Sequence, residues 1–465
     1  MSKDAEGQKV AVIGGGLAGL AAALNVARLA QSAGSEVAVT VFERSPNPGG
    51  RAQTTNKDGF SINFGPHALY QGGAAFPFLK ELGIDPVGAA PPATRATAFY
   101  NGKARLLPLT LPEVLQTTLL GLRDKLRFLA FMTRLNSIDE SSIESLTVNQ
   151  WIDADKDLRG GGKALKSLIR TLVQLTTYTG DMSKLSAAAG MCQLRLAVSS
   201  GVSYLHGGWA QMVDALLERL ENAGVEIIHG CEVSEIFRSP ETGKITVVFK
   251  DAQNGIVSET FDGAIIAVPP EAVKSIVAGV RESAERKALY LGGDPLEDVK
   301  AACLDICLSE LPNPEKTFAL GVDEPTYFSV HSSAAKLAPP NGALIHLAYY
   351  LKGGETGTHE IEKRLEKMMD DLQPGWRDKV VFKRYLANIV VTHKLLSVKN
   401  EKLGGYWKEE TEEPDIFRAG DWVGAHPLAD GSLGSAKRSS ELLVAHLQKQ
   451  AKSNGSSRQS VISCG

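Results

Sequence analysis

Residues 9–51 read KVAVIGGGLAGLAAALNVARLAQSAGSEVAVTVFERSPNPGGR, and the fold follows from how this stretch is parsed. Val10 to Ile13 is a short apolar run that suits a fully buried parallel strand. Gly14, Gly16 and Gly19 follow in the spacing G-x-G-x-x-G, Leu17 to Ala30 is an Ala/Leu helix, and Val37 to Phe42 is a second strand closed by Glu43. Each glycine has a mechanical task in such a unit. Gly14 permits a tight turn, Gly16 lets backbone approach a pyrophosphate, and Gly19 lets the helix lie close on its strand. The uncapped N–H groups and the positive end of the helix dipole hold phosphate. Glu43 stands where an acid takes ribose hydroxyls. A glycine-rich turn alone is weak evidence; strand, turn, helix, strand and acid in that order form a dinucleotide-binding βαβ unit.

Outward from this unit, the 465 residues exceed one small core and predict two lobes. A net charge of −3 gives no argument for nucleic acid or a strongly charged substrate. The polar start MSKDAEGQKV lacks a secretory pattern, and no apolar run reaches membrane-spanning length. Cys192, Cys231, Cys303, Cys307 and Cys464 are scattered and odd in number, with no C-x-x-C and no zinc spacing. They are expected to be reduced thiols of a cytoplasmic protein, with Cys303 and Cys307 a buried structural pair and no metal site.

Ser45 to Arg51 is a proline- and glycine-rich loop whose Gly49 and Gly50 offer a second close approach to the same dinucleotide, with Arg51 able to pair with its phosphates. Phe60 to Phe64 alternates as a strand and runs into Gly65-Pro66-His67. Near the other end, IFRAGDWVGAHPLADGSLGSAKRSSELL (Ile416 to Leu443) gives a strand ending at Gly420-Asp421 and a long helix opening at Gly431 to Ala436.

Taken together, Gly14, Gly16, Gly19, Glu43, Gly49-Gly50-Arg51, the INFGPH strand and the Gly420-Asp421 segment resemble the flavin amine oxidase and phytoene desaturase superfamily. The middle segments look most like its phytoene desaturase-related bacterial oxidoreductases. The resemblance implies FAD, an α/β fold with a Rossmann-like FAD-binding domain of the GR2 type, and an inserted α+β substrate domain of mixed sheet and helices. The implied division is residues 1–74, 206–285 and 410–450 for the FAD domain and 75–205 and 286–409 for the substrate domain, leaving 451–465 as a disordered tail. The resemblance places Leu17, Ala18, Arg44, Gly65, Pro66, His67 and the Val233 backbone at the cofactor. It also gives Asp421 the ribityl chain or pyrophosphate, and Gly431, Ser432 and Leu433 the pyrimidine edge of the flavin, where a helix N-terminus stabilises anionic charge.

Between the ends, Phe76 to Leu82 is a short helix, Pro86 to Pro92 a loop, and Pro112 to Leu135 the most helical stretch. Leu115, Leu119, Leu122, Leu126 and Leu129 form one stripe beside Arg123, Lys125, Arg127 and Arg134. Core packing is the usual meaning of such a stripe; peripheral membrane contact is the competing one. Further helices are expected from Thr147, over Lys163 to Leu175, over Met212 to Asn222 and over Ile361 to Leu372. Strands are expected at Val225 to Ile228, Cys231 to Phe237, Ile245 to Phe249, Gly263 to Val268, Asp298 to Leu308, Tyr327 to His331, Ala343 to Leu351 and Val380 to Val391. Tyr204 to Ala210 and Gly404 to Trp407 are expected to be loops.

A flavin takes the difficult electronic step, so pocket lining rather than a nucleophilic triad is sought. Lys300 is a candidate for the lysine that amine oxidases often keep near flavin N5; an ordinary solvated lysine is the alternative. His67 is either a general base or a neutral histidine bonded to backbone. Trp209 and Trp422 are candidate pocket walls. The expected activity is hydride removal from a C–H bond of an apolar, isoprenoid-like small molecule to flavin N5. The alternatives are an amine oxidase releasing hydrogen peroxide and a non-catalytic or isomerase-like flavoprotein. Neither oligomeric state nor electron acceptor follows from the sequence.

Overall fold

The computed structural model describes residues 7–91, 95–251, 255–278, 296–398 and 407–462. Its first layer is a five-stranded sheet in the order Glu226–His229, Val37–Glu43, Gln8–Ile13, Gly263–Ile266, Ile416–Arg418. Every neighbouring pair is parallel. Val10 to Ile13 are buried because both faces of the central strand are covered, which is why that strand is a continuous apolar run. On one face lie the helices Leu17–Ser32, Ala210–Asn222 and Leu428–Ile462. The first and last are tied by Asn25, whose amide donates to Ser440 Oγ at 2.6 Å in the core. On the other face sits an antiparallel sheet of Glu232–Arg238, Ile245–Asp251 and Gly255–Phe261, with Phe42 packed on the rings of Phe249 and Phe261.

A second layer is built on a mixed seven-stranded sheet in the order Val380–Thr392, Val299–Leu308, Ala343–Tyr350, Thr326–Val330, Phe318–Gly321, Thr97–Tyr100, Lys103–Leu106. The strand Val299–Leu308 is buried on both faces. Ala301 and Cys303 join a helical core with Phe128, Phe131, Leu168 and Leu194, whereas Ala302, Leu304 and Ile306 face the helix His359–Leu372. Alternation along this strand decides which side chains can reach the site.

The expected α/β fold, with a parallel dinucleotide-type sheet and a mixed second sheet, is observed. Several details differ. The stretch 112–135 is two helices, Leu111–Gln116 and Leu122–Arg134, because Thr117 Oγ1 donates to the Leu106 carbonyl and Gly121 caps the second helix. The leucine stripe is therefore split between core and surface, with Leu129 packed against the helical core. Leu119 is buried, while Leu115, Leu122 and Leu126 are 63, 76 and 62 % exposed. The last helix starts at Leu428, three residues before Gly431, and runs through the polar tail to Ile462 rather than ending before it. A helix at Ala187–Ser200 and the strands at 97–100, 103–106 and 318–321 were not expected from the sequence. Trp407 is buried and bridges to Val423. Gly404, Gly405, Tyr406 and Cys464 lie outside the described residues.

Candidate active site

A cavity of about 720 Å³ runs between the two layers, from the glycine turn of the first strand to the face of the second sheet. At one end the N-terminus of helix Leu17–Ser32 opens on it. Gly16 caps this helix with no side-chain bond, and its first turn carries no acid. The N–H groups there are left for a ligand. Space in front of Gly16 is open: an added Cβ would meet nothing within 4 Å. Gly14, at φ +107°, makes the turn. Gly19 is not on the cavity wall, but a Cβ there would overlap the Gly14 carbonyl, so its role is helix–strand packing. The Glu43 carboxylate accepts from the Gly15 N–H at 2.7 Å and the Ser45 N–H at 2.6 Å, which fixes it at the cavity edge. Gly49, at φ +111°, donates to the Gly15 carbonyl at 2.7 Å. The second glycine loop is thus laid directly against the first. Arg44 and Val233 also line this end, Arg44 with an exposed side chain 4.0 Å from Glu232.

Midway, Arg51 and Asp421 meet in a two-pronged ion pair, Nη1–Oδ2 and Nη2–Oδ1 both at 2.9 Å. They are 370 residues apart and come from the two ends of the chain. Burial would raise the Asp421 acid, but the facing guanidinium outweighs it and holds the group at about 2. Asp421 also accepts from the His393 N–H at 3.1 Å. His393 Nδ1 pairs with Asp298 at 3.0 Å, and Asp298 with Lys300 at 3.5 Å. Among the described residues, Lys300 therefore connects to the cavity through Asp298 and His393. It does not line the wall, because the neighbouring Ala301 takes the inward face of the strand.

His67 does line the cavity, edge-on to Trp209 with ring centres 4.6 Å apart. Its Nδ1 lies 3.1 Å from the Gly65 carbonyl and its Nε2 3.2 Å from the Arg51 carbonyl. A neutral imidazole has one N–H, so it can bond only one of these acceptors; the protonated ring bonds both. Desolvation nonetheless lowers the group to about 4, with His346 adding to that effect, so at neutral pH the ring is a base with one lone pair turned to a carbonyl. Pro66 lines the cavity but Gly65 does not. Gly65 sits at φ +76°, where a Cβ would press on Cys303 Sγ, so it lets the strand Phe60–Asn63 turn against the wall. At the helix Leu428–Ile462 the wall is Leu428, Ala429 and Ser432. Gly431 and Leu433, which the sequence placed at the flavin, are not on the wall, Leu433 being wholly in the core. Gly420 lines the wall, as does Trp422, whose Nε1 donates to the Val268 carbonyl at 3.1 Å.

The far end is apolar: Phe64, Tyr70, Tyr178, Ala301, Cys303 and Ile389. Sequence reasoning missed this group as pocket lining. Tyr178 ends the helix Lys163–Thr177 in the left-handed region at φ +57°, a conformation uncommon for a bulky residue, and meets Tyr350 edge-on at 5.9 Å. The Tyr178-Thr179-Gly180 turn after a helix was the one signal available. Cys303 and Cys307 are buried and free, four positions apart on an extended strand, and desolvation raises the Cys303 thiol well above its usual value. Among the described residues no three His, Cys, Asp or Glu side chains could hold a metal ion.

The open N–H cradle at Gly16, the fixed Glu43 carboxylate, the Arg51–Asp421 pair and the apolar end suit the successive phosphate, ribose and ring parts of a flavin dinucleotide. A sequence model for flavin-containing amine oxidoreductases matches residues 17–374. The chain is 23 % identical over 300 residues to a coproporphyrinogen III oxidase of Staphylococcus aureus, covering 56 % of this chain and 60 % of that protein. It is 50 % identical over 58 residues to a 4,4'-diapophytoene desaturase of the same species, covering 12 % and 10 %. The chain thus spans less than two thirds of the length of these curated relatives. In three dimensions it matches an oxidoreductase from Methanosarcina mazei with a TM-score of 0.69 at 19 % identity, over 93 % of this chain and 100 % of that one. The chain belongs to the flavin-containing amine oxidoreductase family, an enzyme family of FAD-dependent oxidoreductases.

Proposed function

We propose that this FAD-dependent oxidoreductase is a desaturase or dehydrogenase of an apolar small molecule. The observation that carries the reading is the wall beyond the cofactor groove. Phe64, Tyr70, Tyr178, Ala301, Cys303 and Ile389 bring no carboxylate to hold an ammonium and no cation to hold a substrate carboxylate. Arg51 is already paired with Asp421, and Arg384, stacked over the Phe64 ring, with Asp305. An apolar chain loses nothing on entering such a wall, whereas a charged substrate would be desolvated without a partner.

FAD, when bound, supplies a two-electron acceptor. The chain's own residues then bind and place the reactants. Gly14, Gly16, Leu17 and Ala18 with Glu43 would hold the dinucleotide end; Arg51, Asp421, Gly420 and Ser432 would hold the middle and ring end; Val233 would meet the adenine side. Desaturation removes two hydrogens from adjacent substrate carbons, one as a hydride that bound FAD would accept and one as a proton, and leaves a C=C bond. His67 is the titratable base on the cavity wall, and it would take that proton on a ring nitrogen turned away from its backbone carbonyl. Its contacts with the Gly65 and Arg51 carbonyls favour the cation, but desolvation outweighs them and keeps the ring neutral at rest.

The test is anaerobic mixing of the flavin-loaded protein with polyene isoprenoids, porphyrinogens and primary amines, following loss of the yellow flavin band. Bleaching by the apolar polyenes, with amines inert, is expected. Bleaching by amines, with peroxide formed on admitting oxygen, would replace this reading with an amine oxidase. A flavin that no member of the panel reduces would favour the non-catalytic alternative.

A further inference from the structure

The turn between the two short helices presents apolar surface that the fold does not use. Leu111 and Leu115 on one helix, and Leu122 and Leu126 on the next, are each an i, i+4 pair, so each pair shares a face. Their exposures are 59, 63, 76 and 62 %, and Leu109 adds a fifth partly exposed leucine. Lys125 Nζ donates to the Leu115 carbonyl at 2.6 Å, which brings the two pairs side by side. Scattered exposed leucines are ordinary; four grouped on one hairpin are not.

The same segment has a charge unlike the rest of the chain. Between 103 and 127 it carries Lys103, Arg105, Arg123, Lys125 and Arg127 against Glu113 and Asp124, in a protein of net charge −3. Glu113 is turned inward, accepting the N–H groups of Arg95, Leu109 and Thr110, and Asp124 is tied to the Gly162 N–H. Arg105 holds the Thr118 carbonyl beside the leucines, whereas Arg127 is turned to the Asp157 carbonyl, which leaves Lys103, Arg105, Arg123 and Lys125 as the cations of this surface. The surface is therefore a leucine crest in a cationic collar. It carries no Trp or Tyr anchor of the kind that dominates protein–protein contacts. Apolar side chains at the centre with cations around them suit insertion among acyl chains with the charges at phosphate level.

We propose that the hairpin of residues 109–127 docks the protein on an anionic lipid bilayer. Among the described residues no helix is long and apolar enough to cross a membrane, so this is attachment to one leaflet. The buried side of the second helix places Phe128 and Phe131 in the same core as the cavity-lining Cys303. Docking would therefore set the substrate lobe, rather than the dinucleotide sheet, against the lipid. The inference stands on the surface alone and does not depend on which substrate the cavity takes.

The experiment is co-sedimentation of the flavin-loaded full chain with vesicles of phosphatidylcholine alone or mixed with phosphatidylglycerol. The parent should bind the mixed vesicles at least ~10-fold more tightly than the neutral ones, and added salt should weaken that preference. Leu122→Glu with Leu126→Glu should abolish sedimentation with both while leaving the flavin spectrum and melting temperature unchanged, because both side chains lie outside the core. Arg123→Glu should weaken binding to the mixed vesicles only. A parent that stays in the supernatant with both vesicles would overturn the proposal. So would binding that survives the double leucine substitution, or a concentration-dependent dimer erased by it, which would assign the crest to a second copy of the chain.

Discussion

Asp421→Asn keeps the shape of a buried side chain and removes its charge, so it isolates the ion pair that joins the two ends of the polypeptide. Asp421 is held near 2 instead of 3.8. At about 1.36 kcal/mol per tenfold change in ionisation, that difference is worth about 2.4 kcal/mol of stability at neutral pH. The folded-state value is depressed, so the contribution is complete above pH 4 and is lost as pH falls through 2. A melting entropy of about 2.1 cal/mol/K per residue over 465 residues is ~1 kcal/mol/K, so the substitution should lower the melting temperature by roughly 2–3 °C at pH 7. The assay is tryptophan fluorescence melting of parent and variant, both stripped of flavin because ligand binding would add its own stabilisation. The two curves should be separated at pH 7 and converge between pH 4 and 2. Equal melting temperatures at pH 7, or a gap that persists unchanged to pH 2, would refute the assignment of that stability to the Arg51–Asp421 pair. In the same variant, Arg51 loses its anchor, so weaker FAD binding is expected by fluorescence titration.

Three further outcomes are expected. Gly19→Ala places a methyl against the Gly14 carbonyl in a turn already at positive φ; overpacking of about 1–3 kcal/mol should push the helix off its strand and weaken FAD binding, measured by the fraction of flavin retained on gel filtration. His67 titrates at about 4 when folded against 6.5 ordinarily, so the unfolded chain takes up its proton first and this residue destabilises the fold as pH drops from 6.5 to 4. His67→Gln should accordingly gain on the parent in melting temperature across that window, and should slow anaerobic flavin reduction by ~10²-fold or more if the ring accepts the substrate proton. Lys300→Met should leave the reduction rate unchanged, since Asp298 and His393 stand between the ammonium and the cavity; a ~10²-fold loss would return the lysine to the chemistry.

The dinucleotide half was legible because its requirements are local. Gly14, Gly16 and Gly19 answer to one turn and one helix start, and Glu43 to the end of the next strand, so consecutive residues carry the whole message. The leucine stripe shows the limit of that kind of reading. Its spacing is helical in any context, and only the break at Thr117 to Gly121 and the position of the core decide that Leu119 goes inside while Leu122 and Leu126 face outward. Lys300 shows the same limit in a strand, where the inward face fell to Ala301 and Cys303. The βαβ unit, the approach of a second glycine loop and the demand for a dinucleotide are written in neighbouring residues, because backbone geometry and helix polarity act over a few positions. Only the packing of the two layers makes Arg51 reach Asp421 and puts Tyr70, Tyr178, Cys303 and Ile389 on one wall. Those contacts join segments separated by tens to hundreds of residues, and their geometry is set by how two sheets pack rather than by any spacing along the chain.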